Sequence, residues 1–64
     1  MRMVNEAGQA VYYNCVEKHG TVKFVILAAS GQYITGRDRQ KRKSRTFTHQ
    51  HQAESWLSRN GYKP

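Results

Sequence analysis

The chain has 64 residues, with 11 Lys+Arg against 4 Asp+Glu and a formal net charge of +7. Its single cysteine, Cys15, excludes a disulfide within the chain, and its longest apolar run, 24–29, is far short of the roughly 20 residues that cross a bilayer. The start also lacks the apolar segment of a secretory signal. We therefore expect one small basic domain, residues 1–64, that lies in the cytoplasm and does not associate with a membrane.

The first half of the chain has the composition of short strands. Residues 1–9 show little periodicity and are expected to form a loose N-terminal arm. Turn signals at Gly20 and Gly31 then separate three segments that are rich in β-forming residues. These segments are 10–16, 22–29 and 32–35. Strands at these spacings predict an antiparallel meander.

The second half predicts a single helix over residues 48–60. Thr48 has the residue type of an N-cap, and Asn60-Gly61 is typical of a helix C-terminus. Residues at helical spacing form one apolar stripe, Ala53, Trp56 and Leu57. The predicted fold class is therefore α+β: a three-stranded antiparallel sheet packed against one C-terminal helix, in the order βββα.

The residues that could support catalysis or metal binding are scattered. Cys15 lies in a predicted strand without a partner base, and the carboxylates are not paired. The His49-x-His51 pair lacks the ligand spacing of a zinc site. We therefore expect no enzymatic activity, no metal and no cofactor.

The aromatic residues are expected to pack in the core. Trp56 lies on the apolar stripe of the predicted helix, which must pack against the sheet. Tyr12, Tyr13 and Tyr33 lie on predicted strands, so we expect each to be at least half buried. An exposed tyrosine that stacks on the bases of a single strand is the alternative.

Positive charge is concentrated in residues 37–45, where six of nine residues are basic and one is acidic. No apolar side chain ties this segment to a core, so we expect a mobile loop or an exposed extension of the third strand that resumes at Thr46-Phe47. Solvation alone would explain a charged loop, but clustering on so basic a domain favours contacts with phosphates. The predicted nucleic-acid-binding residues are Arg37, Arg39, Lys41, Arg42, Lys43 and Arg45.

Residues 41–48 (KRKSRTFT) and 53–57 (AESWL) resemble the arm-type DNA-binding domain of phage and transposon tyrosine integrases, whose fold is AP2-like. The match covers residues 41–57. The resemblance implies a three-stranded sheet packed on a C-terminal helix, with the sheet face in the major groove. It also implies base and phosphate contacts from Arg37, Arg39, Arg42 and Arg45. The same ending is similar to that of small uncharacterised phage open reading frames, which implies a phage-encoded protein.

Two classes of partner follow from the charge. The first hypothesis is a non-enzymatic accessory or regulatory protein that binds nucleic acid, DNA before RNA, although phosphate contacts look alike in both. The alternative is a phage-type inhibitor or adaptor that binds an acidic host protein, because charge steers protein association equally well. Unpaired strand edges also make a homodimer an open alternative.

Overall fold

The computed structural model describes residues 1–35 and 39–64. These residues form, in chain order, β1 (Arg2–Val4), β2 (Ala10–Lys18), β3 (Thr21–Ala28), β4 (Ile34–Thr35), β5 (Lys41–Arg42), β6 (Ser44–Phe47) and α1 (Gln50–Arg59). The predicted α+β class, an antiparallel sheet with one C-terminal helix, is confirmed.

The main sheet has four antiparallel strands in the order β1-β2-β3-β6, so the predicted three-stranded sheet is wrong. Its centre is the β2–β3 hairpin, which turns through His19 and Gly20. Both residues have positive φ, 52° and 76°. A two-residue type I′ turn requires this conformation, and its twist matches that of the flanking strands.

The N-terminal residues are part of the sheet, which corrects the expected loose arm at 1–9. Residues 2–4 pair with residues 10–12 of β2, and the Met1 ammonium group donates to the carbonyl oxygen of Tyr13 at 2.8 Å. Met3 is buried beside its partner Val11, which gives this short strand an apolar anchor. A three-residue strand contains too few residues to show a recognisable alternation.

Residues 32–35 do not supply the third strand of the main sheet. Only Ile34 and Thr35 are extended, and they pair with β5 in a separate two-stranded ladder. The place beside β3 is taken by β6, whose Phe47 pairs with Phe24 and packs against the core. The segment 37–45 is therefore not a loop throughout: its described part, 39–45, contributes to two strands, and residues 36–38 lie outside the described residues.

Helix α1 begins two residues later than predicted. Its N-cap is His49, not Thr48. His49 has the extended backbone usual at an N-cap (φ −120°, ψ 141°) and makes no side-chain capping bond. The predicted C-terminus is confirmed by Gly61, which has a φ of 77°. The Gly61 amide donates to the carbonyl oxygen of Ser58, and the Tyr62 amide to that of Leu57, which together form a Schellman motif.

The core lies between α1 and one face of the main sheet. Its buried members are Met3, Val11, Ile26, Ile34, Ala53, Trp56, Leu57 and Tyr62. The rings of Trp56 and Tyr62 stack with centroids 5.7 Å apart. Val4 and Lys63 exchange two backbone hydrogen bonds of 2.9 Å, so the C-terminal tail is fixed to β1. The described residues include no helix with the length and apolar character needed to cross a membrane.

Candidate nucleic-acid interface

The face of the main sheet that α1 leaves uncovered is the first part of the candidate interface. Side chains alternate along a strand, so the pairing register identifies the residues that share this face. We call it the open face, from the Arg2–Ser44 row at one end to the Lys18–Thr21 row at the other. Its members are Arg2, Tyr12, Asn14, Val16, Lys18, Thr21, Lys23, Val25, Leu27, Ser44 and Thr46.

The two central strands of the open face, β2 and β3, carry accessible apolar side chains. Tyr12 is 40% exposed, Leu27 is 45% exposed and Val16 is 44% exposed. Tyr12 and Leu27 are cross-strand neighbours, so their side chains form a continuous surface. Asn14 lies next along this face, paired with Val25. Contiguous exposed apolar side chains rimmed by polar groups are typical of interaction surfaces.

The open face is positively charged. Arg2 lies at one end of it, and Lys18 and Lys23 lie at the other. Within residues 1–35 and 39–64, no acidic residue belongs to this face: the register places Glu17 on the opposite side of the sheet, and Glu54 is on α1. A phosphate group that approaches the open face therefore meets cations and, among residues 1–35 and 39–64, no carboxylate on the same face.

The described part of the predicted site, residues 39–45, is the second part of the interface. We call it the basic segment. The carbonyl oxygen of Lys43 accepts a hydrogen bond of 2.8 Å from the Ala28 amide, which fixes the segment to β3. Arg39, Lys41 and Lys43 are exposed, and in the described part of the chain their side chains make no hydrogen bond or ion pair. Their exposed side chains can contact a ligand.

Strand β6 separates the predicted site residues. Ser44 and Thr46 belong to the open face, so Arg45 lies on the opposite side, toward α1. Arg45 is half-buried, and its guanidinium carbon is 5.0 Å from the centroid of the Phe47 ring, within the range of a cation–π contact.

The structure thus brings only some of the predicted residues to one place. The backbone of Lys43 is fixed beside Ala28, near the Leu27–Ser44 pair, while Lys41 and Arg42 belong to the separate β4–β5 ladder. Arg37 lies outside the described residues. Sequence reasoning missed the contributions of Arg2, Lys18 and Lys23. The signal that could have found the two lysines is the His19-Gly20 turn, which fixes the register of the β2–β3 hairpin.

Two of the three tyrosines predicted to lie on strands differ from the predicted burial, and Tyr33 precedes β4. Tyr12 and Tyr33 are exposed, at 40% and 51%. Tyr13 is half-buried as predicted, and burial raises the pKa of its hydroxyl, with smaller contributions from the nearby Glu54 and Cys15. Burial also raises the pKa of Tyr62. Tyr12 is thus the strand tyrosine that both lies on the open face and is exposed.

The histidines and the cysteine are candidate metal ligands because of the His49-x-His51 pair. The rings of His49 and His51 stack with centroids 5.6 Å apart, while Cys15 is exposed on β2. Among the residues that the structure describes, no three His, Cys, Asp or Glu side chains come together as a metal-binding group.

Comparisons of the chain with protein-family models, with curated proteins and with solved structures find no match. Its function is therefore inferred from charge, exposure and strand register. Exposed Lys and Arg side chains can bind phosphates, and the amide of Asn14 can bind the edge of a base. The open face and the basic segment together offer both kinds of group.

Proposed function

We propose that this protein binds duplex DNA with its open face and its basic segment. The observation that carries this proposal is a sheet face, without acidic residues in the described part of the chain, that has cations at both ends and exposed apolar and amide side chains between them. Phosphate contacts position a protein on a duplex, while base contacts specify the sequence. The ends and the middle of the open face match these two tasks.

The dimensions of the open face support a major-groove contact. Its two ends lie six residues apart along β3, from Leu27 to Thr21. At about 3.3 Å per residue, this separation is about 20 Å. The major groove is about 12 Å wide, so cations at the two ends would reach the phosphate backbones on either side of it.

The shape of the sheet supports the same contact. β1 pairs only with residues 10–12 of β2, and β6 pairs only with residues 24–27 of β3, so the far half of the β2–β3 hairpin projects as a two-stranded ribbon. The major groove admits a ribbon of this kind. Asn14 would then face an adenine edge, and Val16 would meet a thymine methyl group.

The resemblance of residues 41–57 to the arm-type integrase domain supports this mode of binding. An accessory or regulatory role without catalysis, in the cytoplasm, is part of the proposal. A phage origin is also part of it, because the same residues are similar to small phage open reading frames. In this role the basic segment anchors the protein to the phosphate backbone, and the ribbon reads the groove.

Fluorescence anisotropy against duplex DNA, single-stranded DNA and RNA tests the proposal. We expect the duplex to bind most tightly. The Lys18→Gln, Lys23→Gln double variant should weaken duplex binding, since both side chains lie on the open face. The matched control is Lys63→Gln, whose side chain is exposed on the C-terminal tail. If the double variant and the control lost equal duplex affinity per charge removed, an open-face site would be contradicted.

A protein partner is the second candidate. The projecting ribbon leaves strand edges without a neighbour in the described part of the chain, and an exposed edge can add to the sheet of another protein. A nucleic-acid affinity no greater than that of a generic polycation would favour this candidate. Recovery of one acidic protein, in a stable complex after nuclease treatment, would then establish it.

A further inference from the structure

A cleft lies between β6 and α1, on the side of the sheet opposite the open face. Its volume is about 730 Å³, which is within the range of roughly 300–1,000 Å³ that small-molecule sites occupy. Arg45 and Phe47 form one wall, and His51, Ser55 and Arg59 follow one another along the other wall at intervals of one helical turn. None of the described residues that line the cleft is acidic.

Two guanidinium groups in the cleft are already held in place. That of Arg45 rests over the ring of Phe47, at 5.0 Å from its centroid. Nε of Arg59 donates to the carbonyl oxygen of Ser55 at 3.4 Å. These contacts leave the terminal amino groups of both side chains available for bidentate hydrogen bonds to an oxyanion. His51 adds a ring N–H donor in either of its protonation states.

The charge of the cleft points to a doubly charged ligand. Arg45 and Arg59 supply two positive charges, whereas an internal phosphodiester carries one negative charge. A phosphate monoester carries about −1.5 to −2 at neutral pH and presents three acceptor oxygens. Phe47, half-buried beneath Arg45, and Trp56, which is 6% exposed, also line the cleft and offer a small apolar surface beside the phosphate.

We propose that the β6–α1 cleft binds the phosphate monoester of a nucleotide, either a free mononucleotide or the terminal phosphate of a nucleic-acid strand. The site is distinct from the open face, because β6 directs Arg45 and Thr46 to opposite sides of the sheet. It does not depend on duplex binding by the open face, and either activity can be lost without the other.

Titration of ¹⁵N-labelled protein with inorganic phosphate, adenosine 5′-monophosphate and adenosine tests this proposal by NMR. We expect the monophosphate to shift the Arg45 and Arg59 Nε–H signals and the Trp56 indole signal at lower concentration than phosphate does. Adenosine, which lacks the phosphate, should leave the arginine signals unchanged. A single-stranded oligonucleotide with a 5′-phosphate, compared with the same oligonucleotide ending in a hydroxyl, distinguishes a strand terminus from a free nucleotide as the source of the phosphate.

Variants at Arg59 provide the specificity control. Arg59→Ala should weaken monophosphate binding roughly 10- to 100-fold, the usual loss for one charge-assisted pair of hydrogen bonds. Arg59→Lys keeps the charge but not the planar fork, so it should retain the fold and still bind more weakly than wild type. Arg2→Ala, a matched loss of one charge on the open face, should bind as wild type does.

Three results would overturn the assignment: adenosine shifting the same signals as its monophosphate, Arg2→Ala weakening binding as much as Arg59→Ala, or Arg59→Lys binding as wild type does. A phosphoserine peptide binding as tightly as the monophosphate would overturn the nucleotide as the ligand. The duplex affinity of Arg59→Lys, measured by anisotropy, separates this proposal from the proposed function. This affinity should equal that of wild type.

Discussion

The salt dependence of DNA binding separates a specific cationic surface from a merely basic protein. The informative comparison is between two double variants that each remove one arginine and one lysine charge from a chain of net charge +7. Arg39→Ala with Lys41→Ala changes the basic segment. Arg59→Ala with Lys63→Ala changes the C-terminal end of α1 and the tail, away from the open face.

The expected magnitude follows from the number of cations that meet phosphates. Each neutralised phosphate contributes about −0.9 to the slope of log K against log salt, so about five contacts from the open face and the basic segment give a slope near −4.5. Loss of Arg39 and Lys41 should reduce the slope to about −2.7. Between about 50 and 200 mM salt, wild type should then lose roughly 500-fold in affinity and the variant roughly 40-fold.

The assay is anisotropy of a labelled duplex across this range of salt, with circular dichroism to confirm that each variant is folded. The duplex strands end in hydroxyl groups, so that the proposed phosphate site at Arg59 does not contribute. Both Arg39 and Lys41 are exposed and without side-chain hydrogen bonds in the described residues, so the melting temperature should stay close to that of wild type. The Arg59 and Lys63 variant should keep the wild-type slope. Equal slopes for the two double variants would refute the reasoning, because net charge alone would then explain binding.

Two further predictions concern the fold. Tyr62→Ala removes a ring stacked on Trp56 and should cost about 3–5 kcal/mol. A core this small contributes a similar free energy of folding, so circular dichroism should show that Tyr62→Ala is largely unfolded. Tyr62→Phe should stay folded. Burial raises the pKa of Tyr13 and Tyr62 above the ordinary 10.0, so the folded state favours the phenol. The contribution of these two hydroxyl groups to stability should be fully present below about pH 10 and be lost as pH rises through the folded-state pKa, with a smaller loss in Tyr62→Phe.

Helix α1 could be predicted because its signals are local. The apolar stripe of Ala53, Trp56 and Leu57 repeats within two turns, and all three residues are buried in the structure. Gly61 marks the end of the helix because only glycine adopts the left-handed conformation there at little cost. The predicted start was two residues early. Thr48 has the residue type of a cap, but His49 takes the N-cap position and makes no side-chain capping bond.

The sheet could be predicted in class but not in pairing. β1 spans only three residues, too few to show a periodicity. β6, the partner of β3, follows an intervening two-stranded ladder, so no pattern within one segment identifies this pairing. Choice of partner is decided by which side chains complete the core, here Phe47 against Phe24. This choice depends on contacts between distant parts of the chain.

The same limit applies to the candidate site. Clustered charge identifies the basic segment, because a run of exposed cations is visible in one stretch of sequence. The cations of the open face are distributed over β1, β2 and β3, and only the register shows that Arg2 and Lys23 share a side of the sheet. Exposure of Tyr12 could not be predicted either, since it depends on which sheet face α1 covers.

Strand β6 links the two proposed sites while keeping their ligands apart. Because successive residues of a strand point to opposite faces, Thr46 contributes to the open face and its neighbour Arg45 to the cleft. A shift of register by one residue would exchange these roles, and it would also remove Phe47 from the core. The packing of Phe47 against the core therefore fixes the side on which Arg45 lies, so the stability of the sheet and the identity of both candidate sites depend on the same pairing of β6 with β3.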